Sequence, residues 1–201
     1  VYKRQISDRV EYIKLMHTYL GASIFIFDYR GYGLSQGAPS ESGLYLDAEA
    51  AVEFVRDKVG SEKGTQDLVL FGRSLGSALA LKMASAYTVD AVIVEAPFTS
   101  TMALAKTHYP YVPEFLAKLF IRGRYESGTV VGTLNAPLMV IHGTNDSIVP
   151  IEMGKRIYDL ADVKKSFYLV EGANHNNTYA IAGESYFNNI CLLYTSDAAA
   201  E

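Results

Sequence analysis

Leu68-Val69-Leu70-Phe71-Gly72-Arg73-Ser74-Leu75-Gly76-Ser77-Ala78-Leu79 passes from four consecutive apolar residues, through Gly-x-Ser-x-Gly, into helix-forming sequence that continues to Ala86. The apolar run predicts a strand buried on both faces, and the stretch after Ser74 predicts a helix. A serine between two glycines, where a strand turns into a helix, has the geometry of a nucleophile elbow. The turn is so tight that a side chain at Gly72 or Gly76 would collide with neighbouring backbone, and it lifts the Ser74 hydroxyl clear of the sheet. The pentapeptide alone is a weak signal; its place between strand and helix makes it a strong one.

The same rhythm extends in both directions. Upstream, Ile6 to Leu20 carries Val10, Ile13, Leu15 or Met16, and Leu20 at helical spacing and is stopped by Gly21. Ser23 to Phe27 reads as a buried strand, and Asp47 to Val59 as a helix with Ala50, Ala51, Phe54 and Val55 on one side. Downstream come strands at Ala91–Val94, Leu138–Ile141 and Ser166–Val170, and helices at Ile151–Leu160 and Asn177–Ile190. Strands alternating with helices predict an α/β fold, a mostly parallel sheet with helices on both faces. In such sheets ligands bind beyond the carboxyl ends of the strands. Residues 97–136 break the rhythm: Met102, Tyr109, Tyr111, Phe115, Leu119 and Phe120, interrupted by Pro110 and Pro113, predict a helical excursion over the strand ends. Most of these aromatics are expected to pack on the core; a few could wall an acyl-binding surface.

Composition bounds the rest. With 201 residues, 49% hydrophobic and 20% charged, the chain reads as one globular domain over residues 6–190. A net charge of −4 and no basic cluster longer than Lys164-Lys165 give no electrostatic case for nucleic acid. No apolar run reaches the length of a membrane span. Residues 1–5 and 191–201 match nothing in the pattern and resemble translated adapter sequence, so both are expected to be non-native and are set aside. The single cysteine, Cys191, falls there, which leaves no internal disulfide framework.

A serine hydroxyl attacks only when an imidazole removes its proton, and a carboxylate must hold that imidazole in the right tautomer. Asp146 follows the strand at Leu138–Ile141 and His175 follows the strand at Ser166–Val170, so both sit past carboxyl strand ends, on the rim where Ser74 emerges. Ser74, Asp146 and His175 are therefore the candidate catalytic residues. Leu75 supplies the first oxyanion donor through its backbone N–H, and Gly72 and Gly76 shape the elbow. Among the other histidines, His17 lies in a helix, His108 has no suggestive carboxylate, and His142 is expected to buttress a loop. Glu95 is the alternative acid. Asp90 lies at the wrong end of its strand, and Asp28 runs into Tyr29-Arg30-Gly31, where a structural Asp/Arg pairing is expected. A metal site from His142, Asp146 and His175 lacks any ligand spacing such as H-E-x-x-H, and no metal is expected. Gly31-Tyr32-Gly33-Leu34-Ser35-Gln36 begins like a dinucleotide fingerprint but places Gln36 where the third glycine belongs.

Four motifs together, Phe27 to Ser35, Gly72 to Gly76, His142 to Pro150 and Gly172 to Asn176, resemble the α/β-hydrolase superfamily. Within it they are similar to the α/β-hydrolase-domain group of esterases, thioesterases and lysophospholipases. The resemblance implies an α/β-hydrolase fold and a serine hydrolase that cleaves acyl esters or thioesters through an acyl-enzyme on Ser74, without a cofactor. It implies a small or lipid-like acyl substrate, and it allows membrane tethering through an upstream segment. Substrate, compartment and oligomeric state are not legible.

The resemblance also implies that N-terminal strands and the second oxyanion donor belong upstream of residue 6. In this fold the upstream strand lies mid-sheet, between the strand ending at Asp28 and the one ending at Phe71. Its loss would leave rows of backbone groups unpaired at about 1–3 kcal/mol per buried group, against a domain stability of about 5–15 kcal/mol. The expectation is that this polypeptide folds poorly and is inactive, and a cooperative melting transition would refute it. Two rival functions share the motifs. One is a serine peptidase of aminopeptidase or oligopeptidase type, although no clear acidic pair to grip a free amine appears in the excursion. The other is a non-catalytic hydrolase-fold binding protein, which would usually have lost a triad member.

Overall fold

The apolar runs form the sheet. The computed structural model describes residues 6–61 and 67–195. In chain order it contains α1 (Val10–Leu20), α2 (Glu41–Ser61), β1 (Val69–Arg73), α3 (Leu75–Ala86), β2 (Ala91–Glu95), α4 (Thr101–His108), α5 (Glu114–Phe120), α6 (Ser127–Val130), β3 (Leu138–Gly143), α7 (Ile151–Leu160), β4 (Lys165–Val170), α8 (Thr178–Ala182) and α9 (Glu184–Thr195). The four strands are parallel in the order β1-β2-β3-β4, with Val69 opposite Ala91, Val92 opposite Leu138, and Leu138 opposite Lys165.

The described residues form two compact units, one of residues 67–183 and one of residues 6–61 with 184–195. In the first, Leu81 of α3, Val92 and Val94 of β2, Leu138 and Val140 of β3, and Ile157 of α7 form a fully buried cluster on one face of the sheet. Ile93, Met139 and Ile141, which alternate with them, are buried as well. A strand apolar on both faces suits a parallel sheet with both sides covered. The Lys165 ammonium donates to the carbonyls of Tyr158 and Ala161 at 2.9 and 2.7 Å, so a cation closes the C-terminus of α7. In the second unit, Tyr12 and Tyr186 share a hydroxyl hydrogen bond of 2.8 Å, and Tyr19 stacks on Phe187 with ring centroids 4.6 Å apart. Gly21, at φ +62°, ends α1 by donating to the His17 carbonyl, as its position in the sequence predicts.

Several expectations are corrected. Residues 23–27 belong to no strand, and Phe25 and Ile26 are exposed. Apolar pattern marks a stretch as able to pair, but a strand exists only where a neighbouring backbone completes the ladder. The first helical stretch opens as a 3-10 turn at Ile6–Arg9, and the last is broken at Gly183, whose φ of +58° is not helical. Arg30 pairs with Asp47 rather than Asp28: its backbone N–H, Nε and Nη2 all donate to the Asp47 carboxylate at 2.8–2.9 Å. The Asp28 carboxylate instead accepts the N–H of Ile6. A Cβ at Gly33 would stand 2.1 Å from an Asp28 oxygen, so the glycines of this loop serve a tight turn and not a phosphate.

Candidate active site

Ser74 joins β1 to α3 with φ +53° and ψ −118°, a conformation that a residue bearing a side chain adopts only when its surroundings enforce it. The enforcement is visible. The Ser74 N–H donates to the Glu95 carbonyl at 2.9 Å, and the Ser74 carbonyl accepts from both the N–H and the hydroxyl of Ser77. A Cβ at Gly72 would lie 2.2 Å from the Gly76 carbonyl oxygen, so the turn closes only with glycine at that position. The N–H of Leu75 opens α3, where the positive end of the helix dipole lies. The second oxyanion donor is expected upstream of residue 6, outside the described residues.

Asp146 and His175 lie on the loops after β3 and β4, and these loops are laced together. Thr144 and Asn145 donate their N–H groups to the carbonyls of Val170 and Ala173 at 3.1 and 2.9 Å. Across this junction the His175 Nδ1 stands 2.7 Å from Asp146 Oδ2. The other carboxylate oxygen accepts the N–H groups of Ile148 and Val149 at 2.9 and 2.8 Å. Burial works against ionisation of Asp146, but the hydrogen bonds from His175 and from the Val149 and Ile148 amides outweigh it and hold the carboxyl below its usual range. Facing a carboxylate, Nδ1 must carry the proton, which leaves Nε2 as the basic nitrogen.

His142 completes the support beneath this pair. It is fully buried, its Nε2 donates to the Val149 carbonyl at 2.9 Å, and it stands 3.6 Å from Asp146 Oδ2. It thereby holds the loop that carries Asp146, the buttressing role expected of it. Its Nδ1 is buried without a hydrogen-bond partner and faces Gly154, where a Cβ would stand 2.3 Å away. Burial drives the His142 pKa down, more than the Val149 carbonyl and Asp146 raise it, so the ring stays neutral. His108 Nε2 bonds the Ile148 carbonyl at 2.8 Å and so ties the C-terminal end of α4 to the same loop.

One network escapes sequence reasoning. Arg73, between Gly72 and Ser74, donates through Nη2 to the His175 carbonyl and, at 3.2 Å, to the Asn176 side-chain oxygen. Its Nε lies 3.3 Å from the buried Glu95 carboxylate, which also accepts the Thr178 hydroxyl. Glu95, the alternative acid, thus partners Arg73 and Thr178, while the carboxylate on His175 belongs to Asp146. The only signal for this network is a cation inside the elbow pentapeptide; its partners lie 22 or more positions away.

Strand, elbow, acid and histidine in this topological order define an α/β-hydrolase. The comparisons with known proteins agree: residues 18–129 match the family described as serine aminopeptidase, S33, and the chain belongs to it. It is 35% identical over 192 residues to an uncharacterized protein of Mycobacterium tuberculosis, covering 96% of this chain and 66% of that protein. It is 33% identical over 173 residues to the lysophosphatidylserine lipase ABHD12 of Danio rerio, covering 79% of this chain and 44% of that protein. The chain therefore spans between under half and about two thirds of the length of these relatives. Among solved structures, an esterase of Pyrococcus furiosus superposes with a TM-score of 0.75 at 16% identity, over 96% of this chain and 79% of that one, a likeness of fold.

Proposed function

We propose that the protein is a serine hydrolase that cleaves acyl esters or thioesters, with Ser74 as nucleophile, His175 as general base and acid, and Asp146 as the orienting acid. The observation that carries the reading is the 2.7 Å contact between His175 Nδ1 and Asp146 Oδ2, on the strand-end rim where Ser74 occupies its strained turn. In this mechanism His175 Nε2 takes the Ser74 proton as the hydroxyl oxygen attacks the acyl carbonyl. The oxyanion is held by the Leu75 N–H at the start of α3. Collapse expels an alcohol or thiol, which receives the proton from His175. Water, deprotonated by the same nitrogen, then attacks the acyl-enzyme and releases the carboxylic acid with Ser74 restored. The lipase and esterase names among the similar proteins favour acyl esters as the substrate class.

The family description favours a second reading, an aminopeptidase-type serine peptidase, which would use the same three residues. Short-chain nitrophenyl esters, an acyl-thioester and an aminoacyl anilide, offered to the same preparation, separate the two. A fluorophosphonate probe should label the protein, and Ser74→Ala should abolish labelling and lower kcat by at least about 10⁴. Labelling that survives this substitution overturns the assignment.

A further inference from the structure

The excursion between β2 and β3 carries a run of exposed apolar side chains, among them Tyr109, Tyr111, Phe115, Leu119 and Phe120. Helix α5, Glu114-Phe115-Leu116-Ala117-Lys118-Leu119-Phe120, places Phe115 and Leu119, and Leu116 and Phe120, one turn apart. These four cover roughly one half of the helix and all face solvent, with Phe115 69%, Leu119 72% and Phe120 82% exposed. The charged pair Glu114–Lys118, joined at 2.7 Å, takes the opposite half. Tyr111, 97% exposed, and Tyr109 lie in the turn that leads into the helix. A monomer in water does not gain from displaying such a surface, and contiguous apolar patches of this kind mark sites of association.

The charge around the patch selects the partner. The whole chain carries −4, yet residues 101–124 hold Lys106, Lys118, Arg122 and Arg124 against Glu114 alone, a local net charge of +3. An amphipathic helix with Phe and Leu on one side, tyrosines at its margin and lysines and arginines flanking it has the chemistry of a segment that lies in the headgroup layer of a membrane. There the apolar side chains enter the acyl boundary, the tyrosine rings sit at headgroup depth, and the cations meet lipid phosphates and carboxylates. We infer that α5 and the turn before it dock the protein on the surface of an anionic lipid bilayer. No helix among the described residues is long and apolar enough to cross a membrane, and the docking inferred for α5 is at the bilayer surface. The inference stands on exposure and charge, independently of the chemistry assigned to Ser74.

The chain contains no tryptophan, so Phe120→Trp gives a single reporter on the patch, and Leu34→Trp, at a position 99% exposed in another loop, gives a control. Each is titrated with phosphatidylcholine vesicles and with vesicles that also contain phosphatidylserine. The expected result is a blue shift and protection from an aqueous quencher for Phe120→Trp on the anionic vesicles, and none for Leu34→Trp. Co-sedimentation with those vesicles should weaken at least about tenfold when Phe115, Leu116 and Leu119 become Ser, at an unchanged melting temperature, and should fall as salt rises. Binding that survives these substitutions, or a Phe120→Trp spectrum indifferent to both vesicle types, overturns the proposal. So does concentration-dependent dimerisation abolished by the same substitutions without vesicle binding, which would make the patch an interface between copies of this chain.

Discussion

Asp146 shows how a residue's role follows from what surrounds it. One carboxylate oxygen is spent on two backbone amides and the other on the His175 ring, so the carboxylate is held facing that ring. Glu95 has the same functional group and is buried as deeply, but Arg73 and Thr178 claim it. Removing it exposes the logic of the network. Glu95→Ala strands the Arg73 guanidinium, which is mostly buried, without its counter-charge and should destabilise the protein by about 3 kcal/mol in denaturant titration. The double variant Glu95→Ala/Arg73→Met, which removes both charges, should be less destabilised than the single one. A double variant that is worse by the sum of the two single effects would mean that the pair is not coupled.

At the scale of the element, the site depends on strand ends that give way to turns rather than on strand interiors. β1 delivers Ser74 because Gly72 lets the first turn of α3 fold back against the strand, with the Gly76 carbonyl where a Cβ would otherwise stand. Gly72→Ala should therefore cost about 3 kcal/mol or more and abolish fluorophosphonate labelling in whatever fraction remains folded. A stable Gly72→Ala protein that labels at the wild-type rate would contradict the packing described for the elbow. The loops after β3 and β4 act as one element, since the Gly143–Asn145 segment binds both Val170 and Ala173. This lacing brings Asp146 to His175 although 29 residues separate them.

For the molecule as a whole, the buried ionisable groups set how stability responds to acid. His142 is neutral and buried, with its folded pKa lowered from 6.5, so the unfolded chain binds a proton there that the folded chain refuses. Its contribution is fully present above about pH 6.5 and is lost as pH falls below that value. Asp146, also lowered, adds a second loss as pH falls through the region below its ordinary value of 3.8. The melting temperature should thus decline between about pH 7 and pH 5, before the carboxylates titrate. His142→Gln, which keeps a donor for the Val149 carbonyl, should flatten that part of the curve. An unchanged slope in this variant would assign the acid sensitivity to another group.

Much of this architecture was legible in the chain alone. Apolar runs located all four paired strands, Leu75–Ala86 and Ile151–Leu160 emerge as helices with the bounds read from the sequence, and the elbow announced itself by its glycines. These features are local, because strand pattern, helix periodicity and tight-turn chemistry are written within a few consecutive residues. The choice between Asp146 and Glu95 as partner of His175, the Arg73 bridge, the Arg30–Asp47 pair and the failure of residues 23–27 to join a strand are not local. Each depends on which backbone or side chain arrives from far along the chain, and hydrogen bonds and ladders have partners only once the fold has brought them within reach.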